Sequence, residues 1–364
     1  MEQVLMIIMS AGVVVGGIDR ILGNRRGYGA KFEEGFQFLG SMALSMTGMI
    51  CLAPVLADVL GKAVIPFYRM IGVDPGMFGC FLAIDMGGYQ LSKELAGNPL
   101  IGRYAGIVAA SIFGCTVVFT IPVGMGMIRE ADRKFFAKGV MLGLATMPAG
   151  LVVGGLLSGL SLPDCIWQNL LVFILALLML AGLFKIPDRM VRGFCIFAKG
   201  IRWMTTAGLV LAAAEYLCGY NPVKGMTPLM EAMEVVSAIG IVMLGSLPVT
   251  EFLQRVLKKP FTALGKRMGM NPAGMAGILV GAVSALPVFA MYQDMDERGK
   301  VANAAFLVSA TAVLAAHMGF TLNAEPELLG AMIGAKVSGG MAAILLALFV
   351  QSGKRKGEIT DNVQ

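Results

Sequence analysis

The chain repeats itself, weakly but without gaps, at a spacing of 197 residues. Each copy holds a long uncharged stretch that turn residues interrupt, at Gly87-Gly88 in the first copy and at the matching Ser284-Ala285 in the second. Paired hydrophobic segments with such interruptions are typical of transporters whose binding site lies at the breaks. The identical residues that the spacing pairs include Glu34 with Glu231, Gly48 with Gly245, Leu56 with Leu253, Gly72 with Gly269, Pro75 with Pro272 and Gly102 with Gly299.

Composition places the chain in a membrane. Apolar residues make up 57% of the chain and charged residues 14%, whereas soluble domains have about 25% charged residues; the mean hydropathy is +0.77. The net charge of +6 comes from bases between apolar runs, where they set topology, so no nucleic-acid partner is expected. The six cysteines are scattered singly, without a CxxC pair or a histidine-rich neighbour, so neither a metal nor another cofactor is predicted.

Eleven apolar runs are long enough to cross a hydrocarbon layer of roughly 30 Å, which takes about 20 residues. Run 194–216 is the least certain span, because it carries Lys199, Arg202 and Glu215. The eleven runs lie near 3–22, 36–60, 76–95, 104–128, 136–162, 165–184, 194–216, 229–253, 272–292, 301–322 and 328–350.

The distribution of bases predicts which runs cross. Bases cluster after runs 3–22, 104–128, 165–184 and 229–253 and in the tail. All of these places should face the cytoplasm. Eleven crossings cannot put them all on one side. The conflict disappears if runs 76–95 and 272–292 enter the membrane and return, and non-helical backbone at that depth is tolerated where it is buried in protein or lines a cavity. The alternative is that both runs are kinked helices that cross.

The predicted fold is therefore an all-α polytopic membrane protein with nine full transmembrane helices and two opposed re-entrant hairpins in inverted repeats. The N-terminus should lie outside and the C-terminus in the cytoplasm. By analogy with other inverted-repeat proteins, the organisation is elevator-like, with run one and runs five to seven forming a scaffold and a homodimer contact. The predicted division is 1–31, first helix and loop; 32–128, repeat one; 129–226, central scaffold helices; 227–325, repeat two; 326–353, last helix; and 354–364, a disordered polar tail.

Asp85 is the leading candidate for a binding residue. It lies deep in the first hairpin, directly before the Gly87-Gly88 break. A carboxylate in the hydrocarbon zone is costly unless it is paired or hydrated, so it marks a functional site by default. The alternative is that Asp85 caps the helix that begins near Gly87 or Tyr89.

The second hairpin offers Ser284-Ala-Leu-Pro287, which combines a hydroxyl, free backbone groups and a fixed proline. This combination suits a small polar ligand, although a plain proline kink explains it equally well. The stretches 62–72 and 258–269, which precede the two hairpins, predict interfacial amphipathic helices because bases alternate with apolar residues.

The runs after the hairpins carry a second matched pair. Thr120-Ile-Pro122 in run four aligns with His317-Met-Gly319 in run ten, and both interrupt apolar sequence. Freed backbone carbonyls at such places can help to bind a cation. His317 is the only histidine, and imidazole titrates near neutral pH, but a packing role is equally open. Asn303 can contribute an amide.

Three acids, Glu34, Glu231 and Glu234, lie at the starts of runs two and eight. They are secondary candidates, because stabilisation of a helix N-terminus by its dipole is a sufficient reason for an acid there.

Several motifs resemble one bacterial family along nearly the whole chain. They are Phe32-Glu-Glu-Gly-Phe36, Leu52-Ala-Pro-Val-Leu-Ala57, Asp85-Met-Gly-Gly88, Lys93-Glu-Leu-Ala-Gly97, Met295-Asp-x-Arg-Gly-Lys300 and His317-x-Gly-Phe320. In this order they look like the ethanolamine permeases of ethanolamine-utilisation systems. One position departs, because Ala316 stands where the family form has aspartate before the histidine.

The resemblance implies an inner-membrane permease that admits ethanolamine to the cytoplasm, where a lyase in a protein-shelled microcompartment consumes it. Ethanolamine is a small ammonium with a hydroxyl, so its site needs an anionic or carbonyl-rich pocket and a hydrogen-bond partner. Asp85 would hold the ammonium, and Ser284, Thr120, Asn303 or His317 would reach the hydroxyl. Tyr89 and Phe289 flank the breaks and can add cation-π attraction or simply pack.

Other functions compete with this prediction. The alternatives are a cation/proton antiporter that uses Asp85, a transporter of another small amine such as choline, and a channel, which would need an open pore. An enzyme is not expected, because the sequence has one histidine, no HExxH, no GxSxG and no nucleotide loop.

Overall fold

Helices make up the regular structure of the described residues, as the apolar composition predicts. The structure is a computed structural model that describes residues 2–82, 87–220 and 222–361. Its α-helices are α1 Glu2–Ile21, α2 Tyr28–Met42, α3 Gly48–Met70, α4 Gly88–Leu95, α5 Pro99–Tyr104, α6 Ile121–Met127, α7 Arg133–Leu157, α8 Leu162–Gln168, α9 Leu170–Lys185, α10 Pro187–Cys218, α11 Leu229–Met268, α12 Pro272–Gly281, α13 Ala285–Ala290, α14 Glu297–Ala310, α15 Ala316–Ala324 and α16 Leu329–Asp361.

Shorter helical turns link several of these helices. The 3₁₀ turns are Pro75–Leu82, Glu130–Asp132, Tyr292–Asp294 and Pro326–Leu328, and the π-helical segments are Ala43–Thr47, Ala105–Gly114 and Thr116–Thr120. The π segments join α2 to α3 and α5 to α6, so each of these pairs runs on as one long helix.

The described helices define a multi-pass membrane protein. Seven are long and apolar enough to cross, and the pair α8 and α9, bent by 54°, makes an eighth span if it counts as one. The sequence predicted nine spans. The ninth, run 301–322, is not a continuous helix, because residues 311–315 break it into α14 and α15. The seven spans are Gln3–Ile21, Tyr28–Met70, Pro99–Met127, Glu130–Leu157, Pro187–Cys218, Leu229–Leu257 and Pro326–Gln351.

The two long helices that open the repeats end in the same way. The helix over Tyr28–Met70 has 43 residues and α11 has 40, and each is followed by a glycine with positive φ, Gly72 at 69° and Gly269 at 66°. Glycine tolerates this left-handed conformation and so ends a helix. The predicted interfacial helices at 62–72 and 258–269 are therefore the C-terminal parts of longer helices, each of which continues to the residues just before its glycine.

The last helix also runs further than predicted. α16 extends to Asp361, whereas the sequence predicted a disordered tail from residue 354.

Segment 75–95, called the first hairpin segment, folds back on itself. A Cβ atom on Gly76 would meet Ala96, and one on Gly79 would meet Gly88 and Ser92, so the two arms run antiparallel. The carboxylate of Asp74 closes the ends, accepting hydrogen bonds from the backbone N–H groups of residues 97 and 98 at 3.2 and 2.7 Å. The chain therefore leaves this segment beside the point where it entered.

Segment 272–294, called the second hairpin segment, is closed in the same manner. The Asn271 side chain donates to the carbonyl of Asp294 at 2.8 Å, and the Asn271 backbone N–H donates to Asp296 Oδ1 at 3.1 Å. Asn271 also caps α12 by accepting from the N–H of Gly274 at 2.8 Å. Asp74 and Asn271, which close the two segments, occupy matching positions of the repeat.

The helices pack in two groups. α1, α2 and α11 pack together, and α10 packs against α3. α7, α14 and α16 form a second bundle, together with the π-helical segment Ala105–Gly114 and the two hairpin segments. Glycines allow the close approach of α7 and α16, since a Cβ atom on Gly150 would meet the backbone of Ala335 and Gly339.

Candidate functional site

The break at 311–315 lies against the tip of the second hairpin segment. Ala312 N–H donates to the carbonyl of Gly281 at 3.1 Å, and Leu314 N–H donates to that of Ala282 at 2.8 Å. Ala312 adopts φ +55°, which a residue with a Cβ atom rarely does. Strained backbone of this kind is concentrated at functional sites, so the break is a candidate site. The break and the groups around it that are described below are together called the break site.

Lys336 reaches the break site from the N-terminal part of α16. Its side chain is fully buried, and its ammonium donates to the carbonyls of Ser111, Ser309 and Thr311 at 2.8, 3.1 and 3.1 Å. Ser309 and Thr311 lie at the C-terminal end of α14, where helix carbonyls lose their intrahelical donors. Ser111 belongs to the π-helical segment of repeat one, so both repeats supply carbonyls to one cation.

His317 lies in the first turn of α15, directly after the break. Its backbone N–H donates to the carbonyl of Ala312 at 3.3 Å, and its carbonyl accepts from the Thr321 hydroxyl at 2.8 Å. The side chain is 2% exposed, and Nδ1 has no hydrogen-bond partner within the described part of the chain. A buried, unpartnered polar atom is costly, so it suits a ligand group.

Thr120 lies in a continuous helix and not at a break. The interruption predicted at Thr120-Ile-Pro122 consists of π-helical turns, and the helix continues from Pro99 to Met127. One turn earlier, the Thr116 hydroxyl contacts the carbonyl of Val308 at 2.7 Å and so ties this helix to α14. The Thr120 hydroxyl is buried and has no partner among the described residues.

Asn303 braces the second hairpin segment at a distance from its tip. Its amide donates to the carbonyls of Gly274 and Gly299 at 2.7 and 2.8 Å, which joins α12 to α14. Its carbonyl oxygen lies against Gly277. These contacts give Asn303 a structural role that the sequence did not reveal.

Ser284 and Pro287 lie at the tip and in the second arm of the second hairpin segment. Ser284 precedes α13 without capping it through its side chain, and its backbone N–H donates to the carbonyl of Val280 at 2.9 Å. Pro287 is exposed. Phe289 is buried and packs edge-on against Phe136 at 5.7 Å between ring centroids, so its ring is engaged in packing.

The tip of the first hairpin segment is described only in part, and Asp85 lies outside the described residues. Gly87 and Gly88 begin α4. The hydroxyl of Tyr89 donates to Glu325 Oε1 at 2.6 Å, and its ring meets Phe320 at 5.4 Å. Tyr89 therefore joins the first hairpin segment to α15 of the other repeat, and its hydroxyl already has a partner.

The secondary acids lie away from the break site. Glu34 pairs with Lys31 at 2.6 Å on a half-exposed helix surface, and Glu231 and Glu234 are exposed near the start of α11. These positions agree with solvated helix ends.

Two ion pairs contain bases at matching positions of the repeat. Arg103 contacts Glu325 at 3.2 Å, and Lys300, which is 197 residues after Arg103, contacts Asp132 at 2.6 Å. In each pair, a base on the helix that follows a hairpin segment meets an acid from a distant part of the chain: Glu325 ends 227–325, and Asp132 lies just after 32–128. The sequence did not predict either ion pair.

Lys336 was also missed, although a signal was present. It is the one charged residue in run 328–350, and the rule that an ionisable residue within a span marks a functional site applies to it as it does to Asp85.

Replacing Asp132 by asparagine is expected to lower the free energy of unfolding by about 2 kcal/mol, because it leaves the Lys300 ammonium partly buried without a charged partner. Both side chains of this pair are 12% exposed. Asp58→Asn is the matched control, since Asp58 and Lys62 are each 75% exposed and an exposed pair contributes little. Thermal unfolding in detergent measures both, and equal changes would show that the Lys300–Asp132 pair contributes no more than a surface pair.

The fold and the break site define a class of protein: a multi-pass membrane protein with broken helices and buried polar groups at mid-chain breaks. The family model described as "Ethanolamine utilisation protein, EutH" matches residues 1–350, and the chain belongs to this family. No solved structure matches.

Relatives at nearly full length support the same assignment. The "Probable ethanolamine permease EutH" of Listeria monocytogenes is 41% identical, over 96% of this chain and 94% of the relative. The protein of that name from Escherichia coli is 38% identical, over 96% and 95%. The "Uncharacterized protein YxeR" of Bacillus subtilis is 37% identical, over 99% and 98%.

Proposed function

We propose that this protein is a permease that admits ethanolamine to the bacterial cytoplasm through the inner membrane. The observation that carries the proposal is membership of the family along residues 1–350, together with full-length relatives named as probable ethanolamine permeases. The break at 311–315 supplies the irregular backbone that a transport site needs. Buried polar groups lie beside it.

Within the proposed site, the two ends of ethanolamine bind different groups. The ammonium binds Asp85, the acid that precedes Gly87-Gly88 in the sequence. It does not bind at the carbonyls of the break site, because the Lys336 ammonium occupies them and like charges repel strongly at low dielectric. The unpartnered Nδ1 of His317 binds the hydroxyl, with the hydroxyls of Ser284 and Thr120 as further candidates.

The two hairpin segments are proposed to be re-entrant, within inverted repeats. α4 and α12 have 8 and 10 residues, and at about 1.5 Å per residue neither spans the hydrocarbon layer. The closure of each segment at its base, by Asp74 and by Asn271, supports entry and return on one side. With the positive-inside rule, this arrangement puts the N-terminus outside and the C-terminus in the cytoplasm.

The packing supports an elevator-like mechanism in which one helix group moves past the other. The group that carries the break site contains α4 to α7, α12 to α16 and the hairpin segments, and the second group contains α1 to α3, α10 and α11. This division moves α7 out of the scaffold that the sequence predicted, because α7 packs along α14 and α16. The second group is proposed to form the homodimer contact, with the surrounding lipid covering its remaining apolar surface.

A cavity of 630 Å³ lies between α6, α7 and α10. Pro122 of α6 lines it, together with charged residues of the neighbouring helices: Glu130, Arg133, Asp188 and Arg192. The bases Arg133 and Arg192 belong to clusters that are proposed to face the cytoplasm, so the cavity is proposed to open on that side.

Uptake of labelled ethanolamine into proteoliposomes tests the proposed function. The purified protein is expected to give saturable uptake that excess unlabelled ethanolamine suppresses, and protein-free liposomes should show only slow leakage of the uncharged amine. The same assay with labelled choline measures the substrate range. Uptake equal to that of protein-free liposomes would contradict the proposal.

A further inference from the structure

We propose that the ammonium of Lys336 is a tethered cation that permanently fills a monovalent-cation site built by both repeats. Three backbone carbonyls, of Ser111, Ser309 and Thr311, surround it at 2.8 to 3.1 Å. An ammonium has three N–H donors, so each donor has one acceptor. The side chain is fully buried.

The carbonyls are available because the helices that carry them are irregular. α14 ends at Ala310, and the break leaves its last carbonyls without N–H donors from a following turn. The C-terminus of a helix also carries a partial negative charge, which favours a cation. Ser111 lies in the π-helical segment Ala105–Gly114, where the backbone hydrogen-bond pattern is displaced from that of an α-helix.

These ligands are those of an alkali-cation site. In transporters with broken helices, unwound carbonyls and half-helix C-termini coordinate the coupling cation. In this chain, a lysine side chain supplies the positive charge at that place. None of the ion pairs between described residues includes Lys336, and the titratable groups beside it are His317 and Cys115. Carbonyl dipoles therefore hold the charge.

The consequence for transport, which rests on the proposed function, is that ethanolamine uptake needs no free sodium or potassium ion at this site. Lys336 gives the break its charge balance in every state of the cycle and holds Ser111 of repeat one to the end of α14. Removing the ammonium should leave a vacant site that a free monovalent cation can enter.

Thermal unfolding of purified variants tests the cation site without any transport assay. The comparison uses the chloride salts of N-methylglucamine, sodium, potassium and ammonium at equal ionic strength. The melting temperature of the wild type is expected to be the same in all four salts. Lys336→Ala, which leaves room for an ion, should melt at least about 5 °C lower in N-methylglucamine and recover part of this loss in one of the three small cations. Lys336→Met, which fills the space without a charge, should melt lower in all four salts.

Several results would overturn the proposal. They are a Lys336→Ala variant that melts as the wild type does, a loss of melting temperature that none of the small cations restores, and a wild type that sodium or potassium stabilises specifically. If Lys336→Ala does not fold, Lys336→Met decides, because a wild-type melting temperature for this variant would show that the charge is not needed.

Uptake by the same proteins separates this inference from the proposed function. Wild-type uptake should be equal in sodium and in N-methylglucamine, and Lys336→Ala should respond at least about fivefold to the cation that stabilises it. A wild type that does not take up ethanolamine would contradict the proposed function, whereas the melting temperatures would still decide the cation site. Wild-type uptake that requires sodium would overturn the tethered-cation proposal alone.

Discussion

Replacing Asp85 by asparagine is expected to reduce ethanolamine uptake by about 30-fold, because it removes the carboxylate that would hold the substrate ammonium. A charge-assisted hydrogen bond contributes about 2 kcal/mol, which corresponds to about this factor. The change keeps the size of the side chain and one acceptor oxygen, so a role as a helix cap would largely survive it. Initial rates of labelled uptake into proteoliposomes over a range of substrate concentrations measure the effect.

Asp58→Asn is the matched control, since Asp58 is an exposed acid on α3 and should leave uptake unchanged. Repeating the assay with an imposed proton gradient reports whether protons drive transport. Unchanged uptake by the Asp85→Asn variant would reduce Asp85 to a helix cap and would leave His317 as the residue to test next.

A disulfide between α11 and α15 is expected to stop transport, because it joins the two helix groups that are proposed to move past each other. A Cβ atom on Gly319 would lie 3.6 Å from Cγ1 of Val242, which brings cysteines at 242 and 319 within reach of a disulfide. In a chain without its six native cysteines, oxidation of Val242→Cys with Gly319→Cys should lower uptake at least about tenfold, and reduction should restore it.

Each single-cysteine variant, oxidised in the same way, is the control for this experiment and should keep its uptake. Mass spectrometry shows the fraction of protein that is crosslinked. If the fully crosslinked protein transports at the rate of the reduced protein, then motion of α15 past α11 is not part of the cycle, and a mechanism within a fixed helix frame is favoured.

The extent to which the sequence predicted the fold follows from the physics of a bilayer. Long apolar runs have to become helices, since lipid offers no partner for backbone N–H and C=O groups, and this rule gave the all-helical multi-pass class. The 197-residue spacing also pairs the two long helices, Tyr28–Met70 and Leu229–Met268, which both end before a glycine with positive φ. The sequence did not predict the break at 311–315, because Thr311 to Ala315 contains neither glycine nor proline, and contacts with Gly281 and Ala282 hold it.

The candidate site was predicted only in its outline. His317 stood out as a lone histidine, and the structure places it directly after the break. Asn303 was predicted as a ligand group, but its amide is used to join α12 to α14. Tyr89 was predicted to flank the site, and its hydroxyl bonds Glu325, which is 236 residues away in the chain. Such partners cannot be inferred from local sequence, because they depend on how distant helices cross.

The sequence alone determined the membrane class, the repeat and the family resemblance, since hydropathy, spacing and motif order are properties of the chain itself. Only the tertiary structure decided that Lys336 meets carbonyls of Ser111 and Thr311, which are 225 and 25 residues away. A buried ammonium is stable only where oriented dipoles converge on it, and three helices from different parts of the chain have to pack before those dipoles share one point.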